Sequence, residues 1–315
     1  MKQFTSVLDV PDVQALIREA LALKANPFAH QHLGKNRTLG LVFLNPSLRT
    51  RMSTQIAAQQ LGMNVITLNA DKDGWALEFQ DGAVMNGNTV EHIRDAAPVL
   101  GSYCDIIGVR CFPGLQSREM DDSEHIMRAF IRHTGKPYVS LESATLHPLQ
   151  SLADAITLTE TRPKHRPKVV LTWAPHIKPI PHAVANSFAE WVNRLDVELV
   201  VTHPEGYALN PKFTGTARVE HNQQKALEGA DFVYVKNWSS YSEYGKILNQ
   251  DSTWMLTQRH LLETNQARVM HCLPVRRNVE LSDEILNSPA SLVQEQARNR
   301  VYAAQAVLKQ LLENN

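Results

Sequence analysis

"LGLVFLNPSLRTRMSTQIAAQQLGMNVITL", residues 39–68, is the stretch whose reading decides the fold. Its apolar start, Leu39–Asn45, reads as a buried strand, a helical stretch from about Arg49 to Leu61 is closed by Gly62, and Asn64–Leu68 reads as a second strand. Strand, helix, strand is a βαβ unit. Further on, CDIIGVRCF (104–112) reads as another strand after a helical stretch Val90–Leu100, and ends in Arg110 before Pro113-Gly114 breaks the chain. The second half repeats the style without repeating the sequence. KVVLTW (168–173), VELVVTHP (197–204), DFVYVKNW (231–238) and ARVMHCLP (267–274) each read as a buried strand ending in polar or aromatic residues. Near-continuous apolar strands joined by helices imply parallel sheets covered on both faces. TLHPLQSLADAITLTET (145–161) reads as a helix bridging two domains and ARNRVYAAQAVLKQLLEN (297–314) as a terminal helix. The expectation is an α/β protein of two doubly wound domains, 1–145 and 146–296, with 297–315 packing back on the first.

Composition narrows the function. The chain has 315 residues, 43% of them apolar, and 32 basic against 32 acidic residues give a formal net charge of zero. A nucleic-acid or membrane-surface protein would carry a basic excess, so a small partner is expected. The start, MKQFTSVLDVPDV, lacks the apolar core of a signal peptide, and no run of about 18 apolar residues could span a bilayer, so a cytoplasmic location is expected. Three cysteines, Cys104, Cys111 and Cys272, form no C-x-x-C pair, which supports neither a disulfide framework nor a zinc site. No metal and no cofactor is expected.

Ligands of open α/β sheets bind beyond the carboxyl ends of the strands. After the first strand, Ser47, Arg49, Thr50 and Arg51 crowd one helix start, where free backbone N–H groups, the positive dipole end, hydroxyls and guanidinium groups converge on an anion such as phosphate. Pro46 suits the entry to that helix. Neither the Walker pattern nor G-x-G-x-x-G is present. A Ser47-capped helix whose arginines pair with surface carboxylates meets the same pattern. What favours the anion is the company: Arg110 at a strand end, His147-Pro148-Leu149-Gln150 opening the bridging helix, and His271-Cys272-Leu273-Pro274 ending a strand, its proline leaving backbone carbonyls free to accept.

In that order and at those separations, S-L-R-T-R, R, H-P-L-Q and H-C-L-P resemble the carbamoyltransferases that act on ornithine and aspartate, over essentially the whole chain. The resemblance implies that Ser47, Leu48, Arg49, Thr50 and Arg110 hold the phosphate of carbamoyl phosphate, that Arg300 is a further ligand of carbamoyl phosphate, that His147, with Arg49 or Thr50, polarises its carbonyl and that Gln150 meets its amino group. It also implies that Cys272 and Leu273 offer backbone carbonyls to the carbamoyl nitrogen and the incoming amine. A homotrimer with shared interface sites and a threaded loop are implied by the family, not by the pattern.

The acceptor is read from a smaller branch, the N-acetylornithine and N-succinylornithine carbamoyltransferases. The D-x-x-x-S-M-G loop of ordinary ornithine enzymes is absent, whereas Gly74-Trp75, Gly108–Arg110, Glu142 to Gln150 (with Leu146 before His147), Thr172 to Pro179, Lys236–Trp238 and His271–Asn278 match the branch. Resemblance makes Glu142, His176, Lys236 and either Arg276 or Arg277 the acyl-ornithine contacts, and sends Trp75 to a neighbouring subunit's carbamoyl phosphate. A pocket rich in Lys, Arg and His matches a substrate that has carboxylates and no α-ammonium. Before Glu91-His92 the acetyl enzymes have a glutamate and the succinyl enzymes an uncharged residue; here Val90 leaves room and no like charge for a succinyl carboxylate. Glu280 stands where acetyl enzymes can have a lysine. The expected reaction is direct attack of the δ-amine of N-succinylornithine on carbamoyl phosphate, with N-acetylornithine, then free ornithine, as alternatives. A non-catalytic carbamoyl-phosphate sensor is the rival from another class, and a Cys272 nucleophile the rival reading of H-C-L-P.

Overall fold

The computed structural model describes residues 1–70, 72–163 and 166–314. These divide into two compact units. The first comprises Met1–Gly114, Glu119–Leu149 and the chain from Arg300 onward; the second comprises Leu115–Arg118 and Gln150–Asn299.

The first unit is built on a parallel sheet. Its strands are β1 (Gln3–Phe4), β2 (Thr38–Phe43), β3 (Asn64–Asn69), β6 (Ile106–Arg110) and β7 (Tyr138–Glu142), in the order β1-β7-β6-β2-β3. Register places Leu39 beside Ile106 and Phe43 beside Arg110, so these two strands end level. Every residue of β6 and β7 is buried, as strands covered on both faces must be. Between β3 and β6 lies a small parallel pair, β4 (Leu77–Glu78) with β5 (Glu91–His92).

Helix Arg49–Gln60 links β2 to β3, as the βαβ reading requires, and Gly62 follows it at φ +82°. A Cβ at Gly62 would run into the carbonyl oxygen of Gln31. Gly62→Ala therefore carries both the left-handed backbone penalty and a backbone clash. A loss of at least about 1–2 kcal/mol is expected, read from the urea midpoint at constant m-value.

Two sequence readings are corrected here. The helix expected over Val90–Leu100 begins at Ile93 and runs to Tyr103, because Glu91 and His92 pair with β4 and His92 Nδ1 accepts the Arg94 backbone N–H at 3.1 Å as the cap. The terminal helix begins at Val293, four positions before the expected Ala297, and runs to Glu313.

The second unit has the same plan. β8 (Lys168–Trp173), β9 (Glu198–Thr202), β10 (Arg218–Glu220), β11 (Phe232–Lys236) and β12 (Arg268–Met270) form a parallel sheet ordered β10-β9-β8-β11-β12. One face packs Trp173, Phe188, Tyr207, Tyr234 and Trp238; the other packs smaller residues such as Val170, Val200, Val233 and Val269. Leu115–Arg118 belong here although they precede the unit in sequence: Arg118 lies over the Tyr241 ring at 5.2 Å, and a Cβ on Gly245 (φ +74°) would run into the Leu115 carbonyl. Among the described residues, no helix is long and apolar enough to cross a membrane.

Candidate functional site

In the first unit the polar residues gather where the strands end, and Thr50 is their hub. Its side chain is buried in the first turn of helix Arg49–Gln60, and its Oγ1 accepts from Arg110 Nη1 at 3.3 Å and from Arg300 Nη2 at 2.6 Å. Ser47 Oγ accepts the Thr50 backbone N–H at 3.2 Å, so the serine does cap the helix start. Arg51 instead lies near enough to Asp73 to help hold that carboxyl below its ordinary range, after hydrogen bonds from Asn69. Leu48 is exposed, and its carbonyl accepts the Met52 backbone N–H at 3.1 Å.

Arg110, the last residue of β6, is buried, and its Nη1 lies 2.5 Å from Glu142 Oε2 at the end of β7. The same carboxylate oxygen lies 3.3 Å from His147 Nε2. Burial holds the His147 imidazole well below its ordinary pKa, and the charges of Arg300, Arg110 and Arg49 push it the same way. The ring is therefore neutral and has one N–H. Facing a carboxylate, Nε2 carries it, while buried Nδ1 has no hydrogen-bond partner among the described residues.

The loop that presents His147 is held by Glu124, which sequence reasoning missed. Its carboxylate accepts from Ser143 Oγ (2.6 Å), Ala144 N (3.1 Å), Thr145 N (2.8 Å) and Thr145 Oγ1 (2.5 Å). Nothing local marks it, because Asp121-Asp122-Ser123-Glu124 reads as an ordinary acidic surface run.

Trp75 and Val90 are exposed, and Trp75 Nε1 donates to Glu91 Oε2 at 2.8 Å. Their neighbourhood is the small β4–β5 pair, where Val90 N donates to Ala76 O at 2.9 Å.

In the second unit Lys236 ends β11 and is buried. Glu280 is buried as well, and its charge acts on Lys236 and on His176. Of the two candidate arginines, Arg276 Nε donates to His176 Nε2 at 3.0 Å, whereas Arg277 pairs with Asp283 at 2.8 Å and reaches Asn287 at 3.3 Å. Arg276 thus joins the His176 group and Arg277 is engaged elsewhere. His176 Nδ1 lies 2.8 Å from the Lys178 carbonyl and 3.0 Å from the Lys178 backbone nitrogen; the Arg276 donor requires an accepting Nε2, so the neutral ring carries its hydrogen on Nδ1 and faces the carbonyl at the expense of the Lys178 N–H. Burial lowers the pKa of His176, in keeping with that neutral form.

The H-C-L-P segment lies just past β12. Leu273 has φ +57°, a left-handed conformation costly for a leucine, and its N–H donates to His271 Nδ1 at 2.9 Å. His271 Nε2 in turn lies 3.4 Å from Glu280 Oε1, and Glu280 Oε2 accepts the Arg276 backbone N–H at 2.8 Å. Two contacts thus fix the His271 tautomer and with it the turn that carries the Cys272 and Leu273 carbonyls. Gln150, in the first turn of helix Pro148–Thr161, donates to Asp154 Oδ1 at 2.8 Å.

Chemically, the first group is a cationic, donor-rich anion cradle with a neutral imidazole beside it; the second is a set of bases around one buried carboxylate. Comparison with known proteins identifies the family. Residues 2–160 match the profile of the aspartate/ornithine carbamoyltransferase carbamoyl-P binding domain, and residues 181–311 that of the Asp/Orn binding domain. The chain is 52% identical to an N-succinylornithine carbamoyltransferase of Bacteroides fragilis, over 100% of this chain and 99% of that one. It is 35% identical to an N-acetylornithine carbamoyltransferase of Xanthomonas axonopodis pv. citri, over 95% and 93% of the two chains. A crystal structure of acetylornithine transcarbamylase complexed with acetylcitrulline superposes with a TM-score of 0.93 at 34% identity, covering 99% of each chain. So does a glutamate-to-valine variant of N-acetyl-L-ornithine transcarbamylase complexed with carbamyl phosphate and N-succinyl-L-norvaline, with a TM-score of 0.93 at 34% identity, over 99% of this chain and 100% of that one.

Proposed function

This chain belongs to the aspartate/ornithine carbamoyltransferase family, and we propose from that premise that it transfers the carbamoyl group of carbamoyl phosphate to the δ-amine of N2-succinyl-L-ornithine, giving N-succinyl-L-citrulline and phosphate. The reaction rests on one observation above the others: Thr50 Oγ1, at the start of a helix, with Arg110 and Arg300 both donating to it. The choice of acceptor rests on full-length identity of 50–52% to two N-succinylornithine carbamoyltransferases of Bacteroides and on the uncharged Val90.

In this reading Ser47, Arg49, Thr50, Arg110, Arg300 and the backbone of Leu48 bind the phosphate, where backbone N–H groups and guanidinium forks stabilise the charge that builds as it leaves. The neutral δ-amine attacks the carbonyl carbon; a C–N bond forms, the bond from that carbon to the phosphate oxygen breaks, and the surplus amine proton ends on phosphate. An alkyl amine of pKa near 10.4 arrives mostly protonated, so selecting its neutral form is part of the work. His147 has a single N–H, which faces Glu142. To polarise the carbonyl it turns that N–H to the substrate oxygen, while Arg110 keeps the Glu142 charge compensated. Gln150 and the carbonyls of Cys272 and Leu273 meet the amino group. Lys236, His176 and Arg276 bind the acyl-ornithine carboxylates, and the cation-rich neighbourhood of Glu280 favours such a substrate over one bearing an α-ammonium. Cys272 acts through its backbone, and no covalent enzyme intermediate forms.

The proposal extends to assembly and place: a cytoplasmic homotrimer serving arginine biosynthesis, in which exposed Trp75 reaches a neighbouring subunit's carbamoyl phosphate. One assay tests the reaction and its acceptor. Carbamoyl phosphate is supplied with ornithine, N-acetylornithine or N-succinylornithine, and citrulline-type product is read by colour development. N-succinylornithine is expected to be turned over best. Val90→Glu, which sets a like charge against the succinyl carboxylate, is expected to lower its kcat/KM about tenfold while sparing N-acetylornithine. Better turnover of N-acetylornithine by the unaltered enzyme would sink the acceptor assignment, and phosphate-pocket binding without any product would favour the sensor.

A further inference from the structure

Between Glu142, the last residue of β7, and His147 the chain doubles back through residues 143–146, and its two ends meet where Glu142 Oε2 lies 3.3 Å from His147 Nε2. Ser143 N donates to Leu146 O at 2.8 Å and closes this return. The buried Glu124 carboxylate is its centre: Oε1 accepts from Ser143 Oγ, Thr145 N and Thr145 Oγ1, and Oε2 from Ala144 N. Successive N–H groups turned onto one anion make an anion-binding concavity, here filled by the chain's own carboxylate. Four donors on two oxygens need a group that only accepts, as an ionised acid does. Glu124 is itself fixed on both sides, since its N–H donates to Asp121 O at 3.1 Å and its carbonyl accepts from Arg128 N at 2.9 Å, at the start of helix His125–Thr134. Its φ of +53° is left-handed, a conformation that is costly for a glutamate and persists where the surroundings impose it.

The Nε2–H of His147 faces Glu142 and has to turn to the substrate carbonyl, a change that gains rate only if the ring starts within reach of it. Where the ring stands follows from the path of residues 143–146, and that path follows from Glu124. We propose that Glu124 is a positioning residue for the transfer step, clamping residues 143–145 so that His147 stands where its Nε2–H can turn from Glu142 to the carbonyl oxygen of carbamoyl phosphate. Ser47, Arg49, Thr50 and Arg110, which hold the phosphate, lie at the start of helix Arg49–Gln60 and on β6, so the clamp bears on turnover and leaves anion binding alone. A glutamine of the same size cannot replace it, because an amide has one accepting oxygen and sets its NH2 donor against donor on one side of the loop.

The inference rests on the carbamoyl-transfer reading above, and the test keeps the two apart. Turnover with carbamoyl phosphate and the preferred acyl-ornithine, and the dissociation constant of inorganic phosphate by calorimetry, are measured on the full-length enzyme and on Glu124→Gln, at a temperature where circular dichroism shows both folded. Glu124→Gln is expected to lower kcat about a hundredfold, the scale of a reacting group misplaced by about 1 Å, and to change phosphate binding less than about threefold. The same substitution made in His147→Ala should lower the residual kcat by less than about threefold, because no imidazole is left to misplace. A general loosening of the fold gives the opposite pattern: phosphate binding falls along with kcat, and the two substitutions multiply. That pattern, or a kcat within about threefold of the unaltered enzyme, overturns the inference. No product from the unaltered enzyme with any of the three ornithine acceptors overturns the carbamoyl-transfer reading instead. If Glu124→Gln does not fold, Thr145→Val decides, since it keeps the carboxylate and its backbone donors and removes one hydroxyl from the clamp. It is expected to lower kcat about tenfold at unchanged phosphate binding, and to have no further effect in His147→Ala. An undiminished kcat in Thr145→Val, or an equal loss with and without the imidazole, overturns the inference.

Discussion

Arg110→Leu is expected to lower kcat/KM for carbamoyl phosphate about 10⁴-fold and to destabilise the protein by about 3–5 kcal/mol. Each loss has its own cause. Removal of one preorganised donor to a developing oxyanion costs about 10²–10³ in rate, and a guanidinium fork on phosphate contributes charge besides. Stability falls because Glu142 is buried and its Oε2 lies 2.5 Å from Arg110; without the arginine its charge is uncompensated. The substitution also removes one of the cations that keep His147 neutral. Arg110→Leu with Glu142→Gln separates the effects. The double variant should recover most of the urea midpoint, since no buried charge is stranded, yet remain as inactive as the single one. Activity within tenfold of the unaltered enzyme would remove Arg110 from the anion cradle.

Glu280→Gln is expected to cost about 3 kcal/mol at neutral pH, with a pH dependence that identifies the cause. Burial by itself raises the pKa of Glu280, but the His271 hydrogen bond, the Lys236 charge and the Arg276 backbone N–H together bring it down to about 2, from an ordinary 4.5. A carboxyl with a depressed folded-state pKa contributes stability that is complete above its unfolded value and is lost as pH falls through its folded value. The stability gap between the two proteins should therefore be constant above about pH 5 and close between 4.5 and about 2. Urea unfolding at intervals across that range measures it. A gap that stays the same at pH 3 would mean that packing, not charge, distinguishes the two side chains. The surroundings also give an acid at this position a physical reason, since the cations Lys236 and Arg276 stand close by and an acid offsets their charge.

Parallel strands were legible because burial on both faces leaves a near-continuous apolar run, as in Leu39–Phe43 or Val169–Trp173. β7 was not singled out: YVSLE has a serine at its centre and only five residues, and its place in the sheet comes from pairing with β6. Val90 to His92 reads as helix because a dipeptide strand has no periodicity of its own; only the β4 partner makes Glu91 and His92 a strand.

Ser47, Thr50, Arg110, His147 and Gln150 were legible because each stands at a strand end or a helix start, where chain geometry itself exposes donors. Glu124, Asp154 and Gln296 were not, since a carboxylate or amide that holds another side chain acts through distance, and sequence carries no distances. The order of elements, the helix start that gathers donors and the mixture of charges were thus written in the residues. Which carboxylate answers which arginine, which of Arg276 and Arg277 stands beside His176, and which way each imidazole and amide points were decided by folding. Those choices depend on hydrogen-bond partners up to 142 positions apart, as Gln296 is from Asp154, and such partners meet only when the sheets and helices are packed.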